Sequence, residues 1–279
     1  MMPRMTAFPT IEEILGSLPG AVVAFSGGVD SSVLAEVAHR VLGERALAVT
    51  ADSPSLARRE LAGARALAAA RGWRHEVVHT GELDDPRYAA NPTNRCYFCK
   101  TALFDRLAPL APVASELGAP VLLGTVTDDL GDWRPGQAAA SARGGRHPFV
   151  EAGMGKAEVR ALARALGLPT AGKPASACLA SRLAYGVAVT PAALARVEQA
   201  EDLISALGFP VLRVRDLGGD AASVEVAADD LPRLQPLSGQ VTEQLVGLGF
   251  ASVSIDDRGY RRGALNERAD IALPVVGAR

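Results

Sequence analysis

The run Ser26-Gly27-Gly28-Val29-Asp30-Ser31 carries the densest chemistry in the chain. It follows the apolar stretch Ala21–Phe25 and opens onto a helical pattern from Ser32 to Leu42. Two glycines let the backbone turn tightly and approach a ligand closely. The hydroxyls of Ser26, Ser31 and Ser32, the loop amides and the helix N-terminus are all donors suited to phosphate oxygens. The lysine of the kinase-type loop G-x-x-x-x-G-K-[ST] is missing, so this is a different phosphate cradle.

Sulfur chemistry is the second theme. Cys96 and Cys99 form a C-x-x-C at a helix start, and Cys178 lies far away in an irregular segment. Both sulfurs of such a pair fall on one side of a helix, where they can ligate one centre. Four readings stay open. They are a Cys3His zinc site completed by His147, a redox dithiol, three unrelated core cysteines, and a 4Fe-4S cluster on three thiolates with one iron open. The open iron would suit sulfur transfer, because it could carry an extra sulfide to an electrophile.

Other groups are weighed against plainer roles. Asp128, Asp129 and Asp132 with Arg134 either position a metal or substrate or form a solvated loop. Lys100 and Lys173 either neutralise phosphate or are surface residues. Arg213 and Arg215 alternate on a strand and so share a face, which either grips carboxylate or phosphate or simply faces water. Arg258, Arg261 and Arg262 make a weaker basic cluster. His39, His75 and His79 read as structural, and Trp73 and Trp133 carry no claim.

These residues must be held by a frame. Strands are expected at Ala21–Phe25, Ala46–Thr50, Glu76–His79 and Pro120–Gly124, with helices at Asp30–Leu42, Leu56–Ala70, Tyr97–Leu107 and Lys156–Leu166. Such alternation implies an α/β fold with a parallel, doubly wound sheet. Ligands then bind beyond the carboxyl ends of the strands, where the Ser26 loop, Ala51-Asp52-Ser53 and Thr125 all lie. Thr125–Val150 reads as a long loop, either functional or disordered. From Thr190 the texture changes. A helix over Pro191–Leu207, strands at Val211–Arg215 and Ser223–Ala227, a helix over Val241–Leu248 and a strand at Ser252–Ile255 suggest a smaller C-terminal α+β domain with a mostly antiparallel sheet. Its helix–LGF–strand unit occurs twice, at Leu207-Gly208-Phe209 and Leu248-Gly249-Phe250. The expected division is 1–187 and 188–279, with a frayed end from Arg268.

Composition sets the outer limits. The chain has 279 residues and 48% hydrophobic content, enough for a sizeable core, but 5% aromatics. A net charge of −2 argues against a dedicated nucleic-acid partner. No apolar run reaches the ~18 residues of a membrane span. Met1 to Thr10 lacks an apolar signal core, and three cysteines fit a reducing compartment, so a cytoplasmic protein without a membrane partner is expected.

SGGVDS resembles the pyrophosphate loop of ATP pyrophosphatases, which cut ATP to AMP and pyrophosphate. Together with NRCYFCK, TDDLGDWRPG, PASACLASRLAYG and LGFPVLRVR, it makes the chain, from about Gly20 to Asn266, similar to the LarE family. That family puts sulfur into the pyridinium mononucleotide precursor of the nickel-pincer cofactor of lactate racemase. The resemblance implies that a pyridinium carboxylate attacks the α-phosphate of ATP and that a sulfur nucleophile then displaces AMP. One branch of the family sacrifices a single cysteine in the segment matching Ser176–Cys178. Another has three cysteines, as at Cys96, Cys99 and Cys178, and carries a 4Fe-4S cluster fed by an outside sulfide donor. By the same resemblance Ser26, Gly27, Gly28, Asp30 and Ser31 would bind ATP phosphates and Mg2+. Arg213 and Arg215 would meet the substrate or AMP phosphate at a subunit contact in a homo-oligomer, a hexamer in the family. A tRNA-thiolating enzyme, an amide-forming synthetase and a zinc-stabilised nucleotide-binding module are the competing readings.

Overall fold

In the computed structural model, residues 10–114, 118–130, 135–174, 176–261 and 264 are described. The expectations for the extreme N-terminus and for the frayed C-terminal end lie outside them. In chain order the elements that matter are α1 (Ile11–Gly16), β1 (Ala21–Ala24), α2 (Val29–Leu42), β2 (Ala46–Asp52), α3 (Arg58–Arg71) and β3 (His75–His79). Then come α4 (Arg95–Leu107), β4 (Val121–Leu122), α5 (Pro135–Ala142) and α6 (Lys156–Ala165). The last are α7 (Pro191–Ala206), β5 (Leu212–Asp216), β6 (Ala221–Val226), α8 (Ser238–Gly247) and β7 (Ser252–Ile255).

The first sheet is wholly parallel, in the order β3-β2-β1-β4. Its strands are short apolar runs because both faces are covered. One face packs on α1, α2 and α6 through Val23, Val33, Leu34 and Phe149. The other packs on α4 and α5 through Val22, Leu47, Phe104 and Ala140. The α/β class expected from the alternating pattern is what the chain adopts. One expectation needs correcting. The segment from Thr125 to Val150 is not a single long loop, because it contains α5, which packs closely on α4.

The second sheet has the order β5-β6-β7 and packs in a cluster around Val214, Val224, Phe209 and Phe250 that also takes in Ala57, Tyr88 and Leu179. It is less antiparallel than expected. β5 and β6 pair antiparallel, whereas β7 joins β6 in parallel after crossing through α8. The two LGF segments do the same job at the ends of α7 and α8. Gly208 and Gly249 take φ of 91° and 92°, which only glycine adopts easily, and the following phenylalanines are buried. Among the described residues no helix is long and apolar enough to cross a membrane.

One polar group braces the first unit from within. Glu36 of α2 accepts hydrogen bonds from Arg40 Nε (2.7 Å), Trp73 Nε1 (2.9 Å) and Arg71 Nε (3.0 Å). Burial pushes its carboxyl up, but these donors outweigh that and bring it from 4.5 to about 2. Because the folded value is depressed, the stability it contributes is complete above pH 4.5 and is lost as pH falls toward 2. Thermal unfolding followed across that window should show a smaller acid-induced fall in Tm for Glu36→Gln than for the unaltered protein. Parallel pH profiles would contradict the assignment.

Candidate functional site

The phosphate-type loop leaves β1 and enters α2 with its hydroxyls turned inward. Ser26 N–H donates to Ser31 Oγ (3.2 Å), and the two serine hydroxyls lie 3.1 Å apart. Ser31 and Ser32 hydroxyls both donate to Gly28 O, at 3.2 and 2.8 Å, which fixes the start of the helix. Gly27 has φ of 72° and backs onto Ala64 of α3, where a Cβ would stand 3.3 Å from the alanine methyl. Gly124, just past β4, comes so close that a Cβ there would sit 2.9 Å from Ser31 N. The loop is therefore walled in on both sides by small residues. The open N-terminus of α2, fourteen residues long, faces the remaining space.

Two lysines hold this loop. Lys156, at the first turn of α6, grips both carboxylate oxygens of Asp30 at 2.6 and 2.7 Å. Its backbone N–H donates to Asp128 Oδ2 at 2.7 Å, so the Asp128 turn fixes the helix end that presents the lysine. Lys173 bridges Gly27 O (2.9 Å) and Glu60 Oε2 (2.6 Å). The sequence reading flagged Lys173 but missed Lys156, whose partner lies 126 positions away. Asp129 lines the cleft beside Asp30. Asp132, Trp133 and Arg134 fall outside the described residues.

Two cavities meet at Ser26 and Lys100, which line both. The first, about 150 Å³, runs along the carboxyl ends of β1, β2 and β3 and is lined by Phe25, Val49, Ala51, Glu82, Cys99 and Cys178 among others. The second, about 580 Å³, lies between the loop and α5 and is lined by Asp30, Ser31, Cys96, Gly124, Asp129 and Ser176 among others. The C-x-x-C of α4 and the distant Cys178 segment thus open on contiguous space beside the loop. His147 does not line either cavity; its Nε2 sits 3.5 Å from Ser141 Oγ.

The three thiols differ. Cys96 and Cys178 are exposed, whereas Cys99 is half-buried, and no disulfide joins them. Burial pushes the Cys99 thiol up to about 12, and the neighbouring Lys100 only partly offsets this. Tyr88 is buried beside Cys99 and Cys178 with its hydroxyl 2.7 Å from Ser55 Oγ, and burial raises it too. Among the described residues no three His, Cys, Asp or Glu side chains stand close enough to hold a metal ion. The three thiols nonetheless border joined cavities, Cys99 and Cys178 the first and Cys96 the second, and thiolates are the ligands an iron–sulfur centre takes.

The Cys178 segment is pinned from behind. Arg182 is 1% exposed and donates from Nη1 to Ala177 O (2.6 Å) and Cys178 O (3.2 Å). Its other nitrogens pair with Glu201 of α7 at 2.8 and 3.0 Å. Glu201 also accepts from Arg59 of α3 (3.0 Å) and from Val214 N–H (3.3 Å). Burial alone would raise the Glu201 carboxyl, but Arg182 reverses the sign and holds it below the usual carboxylate range. The next residue after Cys178, Leu179, donates its N–H to Ser55 O at 2.8 Å.

Arg213 and Arg215 do not lie on a solvated outer face. Arg215 is buried, pairs with Glu225 at 2.8 Å and donates to Ser181 O at 2.8 Å. Arg213 stands over the Tyr260 ring at 4.9 Å, and burial and then the nearby Arg182 charge lower its pKa. Both belong to the cluster behind Cys178, away from the Ser26 loop. Arg258 and Arg261 face Asp256 at 3.6 and 3.7 Å, and Arg262 is outside the described residues.

Comparison with known proteins fits this geometry. The asparagine synthase family model matches residues 20–92, the stretch that holds the loop and the first three strands. An uncharacterized protein of Synechocystis is 44% identical over 259 residues, covering 92% of this chain and 95% of its own. The pyridinium-3,5-bisthiocarboxylic acid mononucleotide synthase of Lactiplantibacillus plantarum is 35% identical over 268 residues, 96% of each chain. An uncharacterized protein of Methanocaldococcus jannaschii is 24% identical over 241 residues, covering 86% and 90% of the two chains.

Proposed function

The chain belongs to the LarE family, by its likeness to the Lactiplantibacillus plantarum synthase along nearly its whole length, and on that premise we propose that it is an ATP-dependent sulfur transferase acting on the nickel-pincer precursor. Its substrate on this reading is a pyridinium biscarboxylic acid mononucleotide, and its product carries a thiocarboxylate. The observation that supports this most is the meeting of the Ser26 loop and the cysteines at one sheet edge, with Ser26, Cys99 and Cys178 lining one cavity.

The loop amides, the Ser26 and Ser31 hydroxyls and the α2 N-terminus receive the triphosphate of ATP. Asp30 holds Mg2+ there once it leaves Lys156, and the lysine is then free to neutralise phosphate charge. A substrate carboxylate oxygen attacks the α-phosphorus; the bond to the bridging oxygen breaks and pyrophosphate leaves. Lys100, which lines both cavities, would neutralise the negative charge that builds on the phosphate. A sulfur nucleophile then attacks the acyl carbon and AMP departs. Cys96, Cys99 and Cys178 would hold a 4Fe-4S cluster, which when bound supplies an open iron able to carry sulfide from an outside donor. Arg182 and Glu201 keep the Cys178 segment facing the site. Assembly into a homo-oligomer is part of the same proposal, but for Arg215 to meet a neighbour's substrate it would have to give up its buried pairing with Glu225.

The test is the fate of ATP. Incubation with Mg2+, ATP and the biscarboxylic mononucleotide should yield AMP and pyrophosphate in proportion to product. Formation of ADP and orthophosphate would overturn the reading.

A further inference from the structure

One buried carboxylate in the cleft has no role in the chemistry above. Glu82 sits in a short helical turn just after β3 and is 2% exposed, yet its Oε2 has no hydrogen-bond partner among the described residues. It lines the cavity that also holds Ser26 and Cys178. A buried carboxylate oxygen left bare is costly and calls for a donor from outside the chain.

The ligand chemistry limits what that donor can be. Phosphate groups carry acceptors and negative charge, so a carboxylate repels them. The phosphate end of a bound nucleotide belongs to the loop after β1. Sheet order then sets the direction of the rest of the molecule. β2 lies beside β1 and β3 beside β2. The cavity that Ser26 and Glu82 both line is also lined by Val49, Ala51 and Leu56. A nucleotide with its phosphates on the loop and its nucleoside in this cavity would run past these apolar side chains toward the end of β3. The donors it carries there are the 2′- and 3′-hydroxyls of the ribose and the exocyclic amine of the base. A carboxylate at a strand end accepting from a ribose hydroxyl is a familiar arrangement in parallel sheets.

We propose that Glu82 is the acceptor that reads the nucleoside of the bound ATP and so sets nucleotide preference. The proposal rests on the ATP-using reading above. It adds a specificity-determining residue outside the SGGVDS loop and away from the reacting phosphorus.

The experiment is calorimetric binding of ATP, 2′-deoxy-ATP, 3′-deoxy-ATP and purine riboside triphosphate, each with Mg2+, to the unaltered protein, Glu82→Ala and Glu82→Gln. The unaltered protein is expected to bind the analogue that lacks the recognised donor about ten- to a hundredfold more weakly than ATP. Glu82→Ala is expected to lose that preference, its ATP affinity falling to match. Glu82→Gln keeps an acceptor oxygen and the side-chain shape, so an intermediate preference is expected. It carries the test if the alanine variant does not fold, as judged by circular dichroism. Equal binding of all four nucleotides by the unaltered protein would overturn the proposal, as would the original preference surviving in both variants. Absence of ATP binding in the unaltered protein would instead bring down the ATP reading, and this proposal with it.

Discussion

In the Cys178→Ala variant, thiolated product is expected to fall to background while ATP is still cleaved to AMP and pyrophosphate. The two half-reactions use different parts of the cleft. On the proposed reading, phosphate handling belongs to Ser26–Ser31 and its lysines, and among the described residues no hydrogen bond joins Cys178 to them. Sulfur delivery depends on Cys178 by either family route, as a cluster ligand or as the donor itself. The adenylated substrate would then be lost slowly to water. The assay is anaerobic, with sulfide supplied, and reads product mass and AMP together. Undiminished thiolation by this variant would remove Cys178 from the mechanism. Intact mass of the unaltered protein separates the two routes. An unchanged mass with several products per chain means recycling. Loss of one hydrogen sulfide at Cys178 after a single turnover means the chain consumes its own cysteine.

The largest stability change is expected from Glu201→Ala. Glu201 and Arg182 are 0% and 1% exposed, and the guanidinium makes two hydrogen bonds to the carboxylate. Removing one partner of such a buried pair leaves a desolvated charge behind, at a cost of about 3–5 kcal/mol. The Arg59 contact is lost as well, and the tie from α7 to the Cys178 backbone goes with them. Urea unfolding should show a lower midpoint at an unchanged slope, the unfolding free energy falling by that amount. A loss under about 1 kcal/mol would mean that Arg182 finds another partner or reaches water.

Much of this was readable before the structure. The loop is a local motif, so its strand–turn–helix setting follows from adjacent residues. The parallel sheet follows from alternation of apolar runs and helical patterns. What was not readable depends on distant partners. Lys156 looks like any lysine near a helix start until α6 is seen to face Asp30. Glu201 falls in a helix whose pattern gives no sign that Arg182 and Arg59 converge on it. The period of two placed Arg213 and Arg215 on one face, but alternation does not say whether that face meets water or, as here, buried carboxylates. Glu82 carried no local signal, because an unpaired acid is recognisable only once its surroundings are known. The parallel pairing of β7 was missed because a short helix between strands is also compatible with an antiparallel neighbour.

The grip of Lys156 on both oxygens of Asp30 pairs two charges that a ligand at the loop must separate. Each charge already has its counter-charge, so a lone cation competing for Asp30 must displace an ammonium and leave it bare. A lone anion seeking the lysine must strand the carboxylate. A species that brings both signs at once, a divalent cation already bound to a polyphosphate, satisfies the two partners in one exchange. On the proposed reading, then, a magnesium–triphosphate complex is favoured at this loop over either ion alone.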